Sequence, residues 1–471
     1  MIQLQSNIKA ADLTGRIDHL WKLSVSKIRS IDATHGQGQS SPVFTVEGQY
    51  TSKGWTEWTQ GFQIGSAILQ FDATGDSSFL DMGRERTLKV MAPHVSHIGV
   101  HDHGFNNVST YGNLLRLMHE GRIEPNACEQ AFYEMALKTS GAVQAARWRE
   151  TDDGLGYIYS FNGPHSLFSD TLRSLRSLVM AHQLGHVLLG ENDVPIDLLD
   201  RALQHAKTTA RYNVYYGDGR DAYDVPGRVV HESIFNVNDG KYRCPSSQQG
   251  YSPFTTWTRG LAWVMLGYAE QLEYLQTRAD DKYKSVKEIM LKAACVTCDF
   301  YIDQMPTDGI PYWDTGAPGL QNLGDYQNNP ADPFNKDEPV DSSAAAIAAQ
   351  GLLRLGHYLK SQNQDSRGDR YWQAGLVVLQ TLLGEPYLST SPKHQGLLLH
   401  AIYHHPCGWD HVPNNAKIPQ GESCMWGDYH LMEAALYLQR MIRGEPYYTF
   451  FTTDPGSLPG SAPGIPAENV S

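Results

Sequence analysis

The 471-residue chain has no apolar run close to the ~20 residues that a membrane-spanning helix needs. Its first residues, Met1 to Ser6, show neither the basic segment nor the apolar core of a signal peptide. The six cysteines are scattered without the spacing of a disulfide framework, which agrees with a reducing compartment. Together these features predict a cytoplasmic protein that does not use a membrane as a partner.

Motifs of cofactor and nucleic-acid chemistry are also missing. The formal net charge of −13 disfavours nucleic acid as a partner, because phosphate binding needs clustered Lys and Arg. Neither a GxxxxGKS/T loop, a strand-supported GxGxxG nor an HExxH zinc motif occurs. The CxxC pair of Cys295 and Cys298 lies in an apparently helical segment, which favours a buried structural role over a redox or zinc role. We therefore predict no metal and no cofactor.

Helical periodicity dominates what is present. Apolar residues recur at helical spacing in about a dozen stretches. These stretches lie near residues 11–31, 65–71, 78–91, 111–117, 129–138, 167–184, 195–212, 257–276, 282–301, 342–359, 370–383 and 424–441. Short hairpins are predicted near residues 43–50 and 157–160. Because the connections are rich in Trp, Tyr, Asp and His, we predict an all-α toroid of helical hairpins whose loops converge on a central pocket.

The interior has no Pro/Ser-rich linker, so residues 1–450 are predicted to form one domain. The Pro-, Gly- and Ser-rich residues 451–471 are predicted to form an extended C-terminal extension, most simply a spacer.

Two carboxylates stand out among histidines and aromatics. Asp102 lies in the motif HDHGF at 101–105. Asp170 lies further along the chain, after Phe161 and the Asn-Gly pair at 162–163. Paired carboxylates are the usual acid/base equipment for breaking glycosidic bonds, and aromatic faces stack on sugar rings. Asp170 also fits the plainer interpretation of an N-terminal helix residue, where the helix dipole would lower its pKa. A general acid needs a raised pKa instead, which burial and the charge of Asp102 would provide.

Further aromatic and polar residues fit a sugar site. The loop that includes Trp55 and Trp58 places aromatics beside glycines, and Arg259 lies between Trp257 and Trp263. Such an arginine can hold a carboxylate, although a capping arginine among core tryptophans is the plainer interpretation. The loop-like sequence around His231 and Gln249 adds polar groups, and a single loop histidine is usually a surface residue.

In combination, these segments resemble glycoside hydrolase family 88, the unsaturated glucuronyl hydrolases. The resemblance covers most of the chain and rests on eight markers in the family order. They are WTQGF at 58–62, HDHGF at 101–105, Asp170, QGYS at 249–252, WTRGLAW at 257–263, PYWD at 311–314, DSSAAAIAA at 341–349 and GDY at 427–429.

The resemblance implies a single-domain (α/α)6 barrel that acts on lyase products with a 4,5-unsaturated uronic acid at the non-reducing end. It implies hydration of the C4=C5 vinyl ether, with Asp170 as general acid/base and Asp102 as the aspartate that tunes it. The residues that the resemblance implies for substrate binding are Trp58, His101, Phe105, Phe161, His231, Gln249, Trp257, Arg259, Trp263 and Tyr429. By the same matching, His231 and Gln249 would contact the sugar or the attacking water, and Tyr429 would form a wall of the pocket. Charge complementarity places Arg259 near the aglycone or the uronate carboxylate, as a hypothesis.

The chain departs from the family pattern beside these residues. Phe161 and Gln63 stand where tryptophans are common, and the Leu-Arg-Ser run at 172–174 replaces a Met-Met-Asn run. These departures leave open which sugar occupies the subsite beyond the scissile bond. Alternative functions are an unsaturated rhamnogalacturonyl hydrolase, an inverting glycosidase on the same barrel, a sugar epimerase and an inactive sugar-binding protein.

Overall fold

The computed structural model describes residues 1–4, 8–38, 40–54, 57–278 and 280–451. Its α-helices, numbered along the chain, alternate between an outer and an inner layer. The outer helices are α1 (Thr14–His35), α3 (Ser77–Val90), α7 (Ala127–Ala146), α10 (Leu198–Tyr212), α12 (Lys284–Gln304) and α14 (Asp365–Leu382). The inner helices are α2 (Gln60–Thr74), α5 (His103–Asn107), α6 (Asn113–His119), α8 (Thr171–Ser174), α9 (Arg176–Gln183), α11 (Thr258–Gln276), α13 (Ser342–Ser361) and α15 (Met425–Ile442).

The inner helices close into a ring. A π-helical turn, Val108–Gly112, joins α5 to α6, and α9 follows α8 after one residue, so each pair fills one inner position. Contacts run from α2 to α5, α8, α11, α13 and α15, and from α15 back to α2. Six pairs of one outer and one inner position therefore form an (α/α)6 barrel, which confirms the predicted fold. The short helix α4 (Ala92–Val95) lies between α3 and α5.

The sequence explains why inner and outer helices differ. Helix α13 is rich in alanine and leucine and is buried on nearly every side, as a helix inside a ring must be. The Asp341 carboxylate caps it by accepting the backbone N–H groups of Ser343 and Ala344. Outer helix α10 instead buries one face and exposes the other. Inner helices thus form the core, and outer helices separate it from solvent.

Short strands lie in the connections between helices. Strands β1 (Phe44–Val46) and β2 (Gln49–Thr51) form the first predicted hairpin, and β3 (Trp148–Glu150) pairs with β4 (Gly156–Ile158) at the second. Two further sheets were not predicted. Their strands are β5 (Ser166–Phe168), β8 (Glu232–Phe235) and β9 (Tyr242–Ser246), and β6 (Leu188–Leu189) with β7 (Pro195–Ile196).

One predicted helix needs correction. The stretch 167–184 begins as strand β5, whose residues Leu167 and Phe168 pair with β8, and helix α8 starts only after Asp170. Leu167 is apolar because both faces of this strand are buried. Helical spacing alone did not reveal the strand, because a short buried strand and the first turn of a helix have similar apolar patterns.

The six cysteines are free thiols, and Cys295 and Cys298 are buried in α12. In the part of the chain that the structure describes, no helix is long and apolar enough to cross a membrane. Trp55 and the predicted extension from residue 452 onward lie outside the described residues.

Candidate active site

A cavity of about 290 Å³ opens where the inner helices begin. Ten of the twelve residues predicted for the site line it. They are Trp58, His101, Asp102, Phe105, Phe161, Asp170, Gln249, Trp257, Arg259 and Trp263. Most of them lie in the connection that leads into an inner helix or in its first turns. The ring of helices therefore brings together residues that are up to about 200 positions apart in sequence.

The two aspartates share one histidine at the cavity wall. The His101 Nε2 atom lies 3.2 Å from Asp170 Oδ1 and 3.7 Å from Asp102 Oδ1. All three side chains are largely buried, with His101 only 1% exposed. The predicted acid/base pair is thus a three-residue unit, in which one imidazole faces two carboxylates.

Close contact between α5 and α8 fixes this unit. A Cβ atom at Gly104 would collide with the Ser174 carbonyl oxygen, so only glycine allows the two helices to approach this closely. The Gly104 N–H donates to Ser174 Oγ at 3.0 Å. The His101 carbonyl accepts hydrogen bonds from Gln144 Nε2 at 2.6 Å and from Ser174 Oγ at 2.5 Å. The glycine of the HDHGF motif therefore sets the spacing of the aspartates.

The two carboxyl groups differ in their electrostatic surroundings. Burial raises the pKa of Asp102, and the charge of Asp170 raises it further, although His101 opposes both. Burial also favours a raised pKa for Asp170, but the hydrogen bond and charge of His101 outweigh it and hold this pKa below its ordinary value. Burial lowers the pKa of His101, and the two carboxylates more than reverse this, so its pKa is raised. Asp170 is therefore the more strongly ionised of the two aspartates, and the raised pKa that a general acid needs is found at Asp102 instead.

Aromatic rings form much of the remaining wall. Trp58 stacks on Trp426, with ring centroids 4.9 Å apart, and Phe105 packs against Trp263 at the same distance. Phe161 lies nearly parallel to His101, with centroids 5.9 Å apart. These surfaces suit the apolar faces of sugar rings.

Arg259 is bound to protein atoms through both Nη atoms of its guanidinium. It donates to Asp341 Oδ2 at 2.6 Å, to the carbonyls of Ile402 and Tyr403, and to Gln249 Oε1 at 3.0 Å. Its Cζ atom also lies over the Trp257 ring, 4.6 Å from the centroid. Arg259 lines the cavity, yet its charge is balanced by Asp341 and not held free for a substrate carboxylate. The arginine instead orients the Gln249 amide, whose NH₂ group is left to face away from it.

His231 lies behind the cavity wall. Its Nδ1 atom accepts the backbone N–H groups of Gln248 and Gln249, at 3.0 and 3.3 Å, so the proton of the neutral ring is on Nε2. Burial lowers the pKa of His231 to about 4, which keeps the ring neutral. Within the described structure, its buried Nε2 has no hydrogen-bond partner. His231 thus fixes the loop that carries Gln249 and is not among the residues that line the cavity.

Tyr429 lies in the barrel core and not on the cavity wall, which corrects the expectation for this residue. Its ring packs on Phe62, with centroids 4.9 Å apart. Its hydroxyl donates to Glu433 Oε1 and accepts from Asn113 Nδ2, both at 3.2 Å. The side chain points along the inside of the ring because Tyr429 is already in the first turns of α15.

The structure adds wall residues that the sequence did not indicate. They are Glu57, His97, Gly99, Val100, Gln248, Tyr403 and His404. Tyr403 and His404 come from the long connection before α15, where a Tyr-His-His run is the only local signal. Asp341, the partner of Arg259, is the first residue of the marker DSSAAAIAA, but the sequence does not indicate that the two residues pair. Across the described residues, no group of three or more His, Cys, Asp or Glu side chains is arranged to hold a metal ion.

Comparison with known proteins gives several relatives of one kind. No protein-family model matches the chain. The chain is 26% identical over 389 residues to an unsaturated glucuronyl hydrolase of Formosa agariphila, covering 82% of this chain and 81% of that protein. It is also 26% identical over 397 residues to the unsaturated glucuronyl hydrolase of a Bacillus species, covering 83% and 89%.

Solved structures agree. The unsaturated glucuronyl hydrolase of Streptococcus agalactiae matches with a TM-score of 0.68 and 20% identity, over 94% of each chain. A mutant of that hydrolase complexed with dGlcA-GalNAc6S matches with a TM-score of 0.60 and 19% identity, over 92% of this chain and 93% of the other. The structural likeness confirms the fold, and the sequence relatives confirm the resemblance to the unsaturated glucuronyl hydrolases.

Proposed function

We propose that this protein hydrolyses lyase-generated oligosaccharides and releases the 4,5-unsaturated uronic acid at their non-reducing end. The observation that carries the proposal is the Asp102–His101–Asp170 unit in the wall of an aromatic cavity. The relatives named unsaturated glucuronyl hydrolases support it.

The cavity suits an anionic sugar ring. Aromatic surfaces from Trp58, Phe105 and Trp263 offer stacking partners for the ring faces. The long inner helices α2, α11, α13 and α15 all begin at this end of the barrel. The partial positive charge at helix N-termini favours a carboxylate in the cavity. We place the uronate beside the aspartates, where the Gln249 amide and the His231 Nε2–H lie close to the same wall.

The reaction proposed is addition of water across the C4=C5 bond. Asp170 donates its proton to C4, and the ring oxygen shares the positive charge that develops at C5. A water molecule adds to C5 while the Asp170 carboxylate takes its proton. The resulting hemiketal opens to a C5 ketone, which turns C1 into a hemiacetal that releases the second sugar with its hydroxyl restored. General acid/base catalysis of this kind contributes about 10²–10⁴-fold.

The role of Asp170 requires that its pKa rise when substrate binds, because His101 holds this pKa below its ordinary value. A uronate carboxylate supplies negative charge and displaces water, and both changes raise the pKa of a nearby carboxyl group. Burial raises the pKa of Asp102, so Asp102 keeps a proton to higher pH than an exposed aspartate does. Substrate binding would therefore favour the protonated form of Asp170, which is the form that donates a proton to C4.

The test is a panel of unsaturated disaccharides produced by different polysaccharide lyases. We expect the ultraviolet absorbance of the conjugated C=C bond to disappear on incubation with the protein for at least one of them. A saturated glucuronide of the same linkage serves as control and should stay intact. Cleavage of the saturated glucuronide, with no loss of absorbance from any unsaturated sugar, would replace the proposal by a conventional inverting glycosidase.

For its location, we keep the proposal of a cytoplasmic enzyme, which the free thiols of its cysteines support.

A further inference from the structure

Exposed aromatic side chains collect in one connection of the barrel. Among the described residues, five Phe and Tyr side chains are exposed, and three of them lie between α10 and α11. These three, Tyr223, Tyr251 and Phe254, are 43–51% exposed and are called the aromatic platform. The rings of Tyr223 and Phe254 stack on each other, with centroids 4.6 Å apart. Single exposed apolar side chains are common on protein surfaces, whereas a group of them marks an interaction site.

The course of the chain places the aromatic platform beside the cavity. Gln249 and Trp257 both line the cavity, so the segment between them leaves the wall and returns to it. Tyr251 follows Gln249 by two residues, and Phe254 precedes Trp257 by three. Because consecutive Cα atoms are about 3.8 Å apart, the Cα atom of Tyr251 lies within about 8 Å of that of Gln249, and the Cα atom of Phe254 lies within about 11 Å of that of Trp257. The platform therefore borders the cavity, while its exposed rings lie outside it.

Buried polar side chains hold the backbone of the platform in place. Arg228 is only 3% exposed, and it donates from Nε to the Tyr223 carbonyl at 2.8 Å and from Nη1 to the Pro253 carbonyl at 3.1 Å. It thereby joins the two segments that carry the stacked pair. The backbone N–H of Tyr251 donates to Oδ2 of the buried Asp314 at 2.8 Å. A surface that is fixed before a ligand arrives loses less conformational entropy when the ligand binds.

The proposed function supplies an occupant for this surface. When the unsaturated uronate lies beside the aspartates, the rest of a long oligosaccharide has to leave the cavity through its mouth. Aromatic rings offer flat apolar faces on which sugar rings pack. From this arrangement we infer that the aromatic platform binds a sugar beyond the first two, so that the protein acts better on unsaturated tetrasaccharides than on disaccharides. The inference rests on the proposed function, since it concerns the far end of the same substrate.

The first experiment compares the unsaturated disaccharide and tetrasaccharide that one lyase releases from the same polysaccharide. We expect kcat/KM for the tetrasaccharide to exceed that for the disaccharide by about fivefold, through the added stacking contact. Turnover of the disaccharide with an equal or lower kcat/KM for the tetrasaccharide overturns the inference and leaves the proposed function intact. Turnover of neither sugar, for every polysaccharide of the panel, overturns the proposed function and the inference with it.

The second experiment assigns the preference to the platform. Phe254→Ala should lower kcat/KM for the tetrasaccharide about fivefold and leave that for the disaccharide unchanged, whereas Phe254→Tyr should keep the preference. Phe132→Ala is the matched control, because Phe132 is 45% exposed and lies near the start of α7, at the end of the barrel opposite the cavity. An equal loss on both sugars in Phe254→Ala, or the same loss of preference in Phe132→Ala, contradicts the role of the platform.

The third experiment tests a second copy of the chain as the competing occupant. Sedimentation velocity should give the same oligomeric state for the unmodified protein and for Phe254→Ala, with or without the tetrasaccharide. A dimer of the unmodified protein that dissociates in Phe254→Ala would overturn the inference, because it would assign the aromatic platform to an interface between copies.

Discussion

Two groups of buried charges lie one turn apart on the same inner position of the barrel, and they are partnered very differently. Asp170, just before α8, shares the single His101 nitrogen with Asp102. Arg173, within α8, points into the ring and is bound on all sides. It donates to Glu270 at 3.2 and 3.1 Å, to Glu433 at 2.5 Å and to His430 at 2.8 Å.

The difference lies in the balance of charge. Around Arg173, opposite charges meet at hydrogen-bonding distance and burial is complete, so that proton transfer would leave a buried charge without a partner. Around Asp170, two carboxyl groups share one imidazole, and the second nitrogen of His101, Nδ1, has no partner within the described structure. Titratable groups whose pKa is shifted by burial and by a specific charged partner, and which lie in a cavity, are candidates for a functional site. The first group stabilises the barrel, and the second is suited to chemistry.

Replacing Asp170 by Asn is the strongest test of this contrast. The amide cannot donate a proton to C4, so we expect kcat to fall about 10²–10⁴-fold while the melting temperature hardly changes. Asp76→Asn, at the exposed N-terminal cap of α3, is the control and should keep full activity. Asp102→Asn should lose less activity than Asp170→Asn. A larger loss in Asp102→Asn would make Asp102 the acid, in accord with its raised pKa.

Replacing Arg173 by Met should act on stability. The variant removes the cation that is hydrogen-bonded to Glu270 and Glu433 and leaves them Arg176, whose Nη1 atom lies 3.8 Å from each. We expect the free energy of unfolding to fall by about 3–5 kcal/mol in chemical denaturation. Arg29→Met, which removes an exposed and long ion pair to Asp76, should cost about 0–1 kcal/mol. Equal effects of the two variants would show that the Arg173 group contributes no more than a surface pair.

The pH dependence of this stability should become weaker in the same variant. Burial opposes ionisation of Glu433, but Arg173 and Arg176 outweigh it and hold its pKa below the ordinary value of 4.5. The stabilisation is therefore present above pH 4.5 and is lost as the pH falls through the lower folded-state pKa. Without Arg173, Arg176 still opposes the effect of burial but more weakly, so the pKa of Glu433 should rise and this pH-dependent stabilisation should be smaller in Arg173→Met. Parallel curves for the two proteins would contradict this account.

Replacing His101 by Asn should move the pH profile. His101 holds the pKa of Asp170 down and also lowers that of Asp102, so that removing the imidazole raises both. The alkaline fall of kcat/KM should therefore shift to higher pH. His103→Asn is the matched control, because His103 faces Ser140 and the His97 carbonyl, away from the carboxylates. A shift to lower pH, or the same shift in the control, would show that His101 does not set these values.

The smallest effect is expected for Tyr429→Phe. The variant removes a hydroxyl that bonds to Glu433 and Asn113 in the barrel core, and the cost should be about 1 kcal/mol of stability. KM should stay unchanged, because the side chain lies beneath the cavity. A raised KM with unchanged stability would return Tyr429 to the substrate site.

The sequence predicted the fold, and that Asp102 and Asp170 lie together, better than it predicted which side chains bind each other. Helical spacing identified the stretches that became inner and outer helices, because each helix buries apolar residues at that spacing. Leu167 and Phe168 were misassigned, since their pairing with β8 depends on residues 64 or more positions away. The same limit explains Arg259, whose partner Asp341 is 82 positions further on. Tyr429 lay in a marker of the resemblance, and the direction of its side chain follows only from its place in α15.

The walls of the cavity come from connections that belong to different helical hairpins. Glu57 precedes α2, Asp102 precedes α5, Asp170 precedes α8, and His404 precedes α15. These connections are also bound to one another. Arg259 in α11 holds the carbonyls of Ile402 and Tyr403 before α15, and Asn106 in α5 holds the carbonyl of Glu57 before α2. An insertion in one connection would therefore displace the wall formed by its neighbours, so the pocket has to be redesigned as a whole.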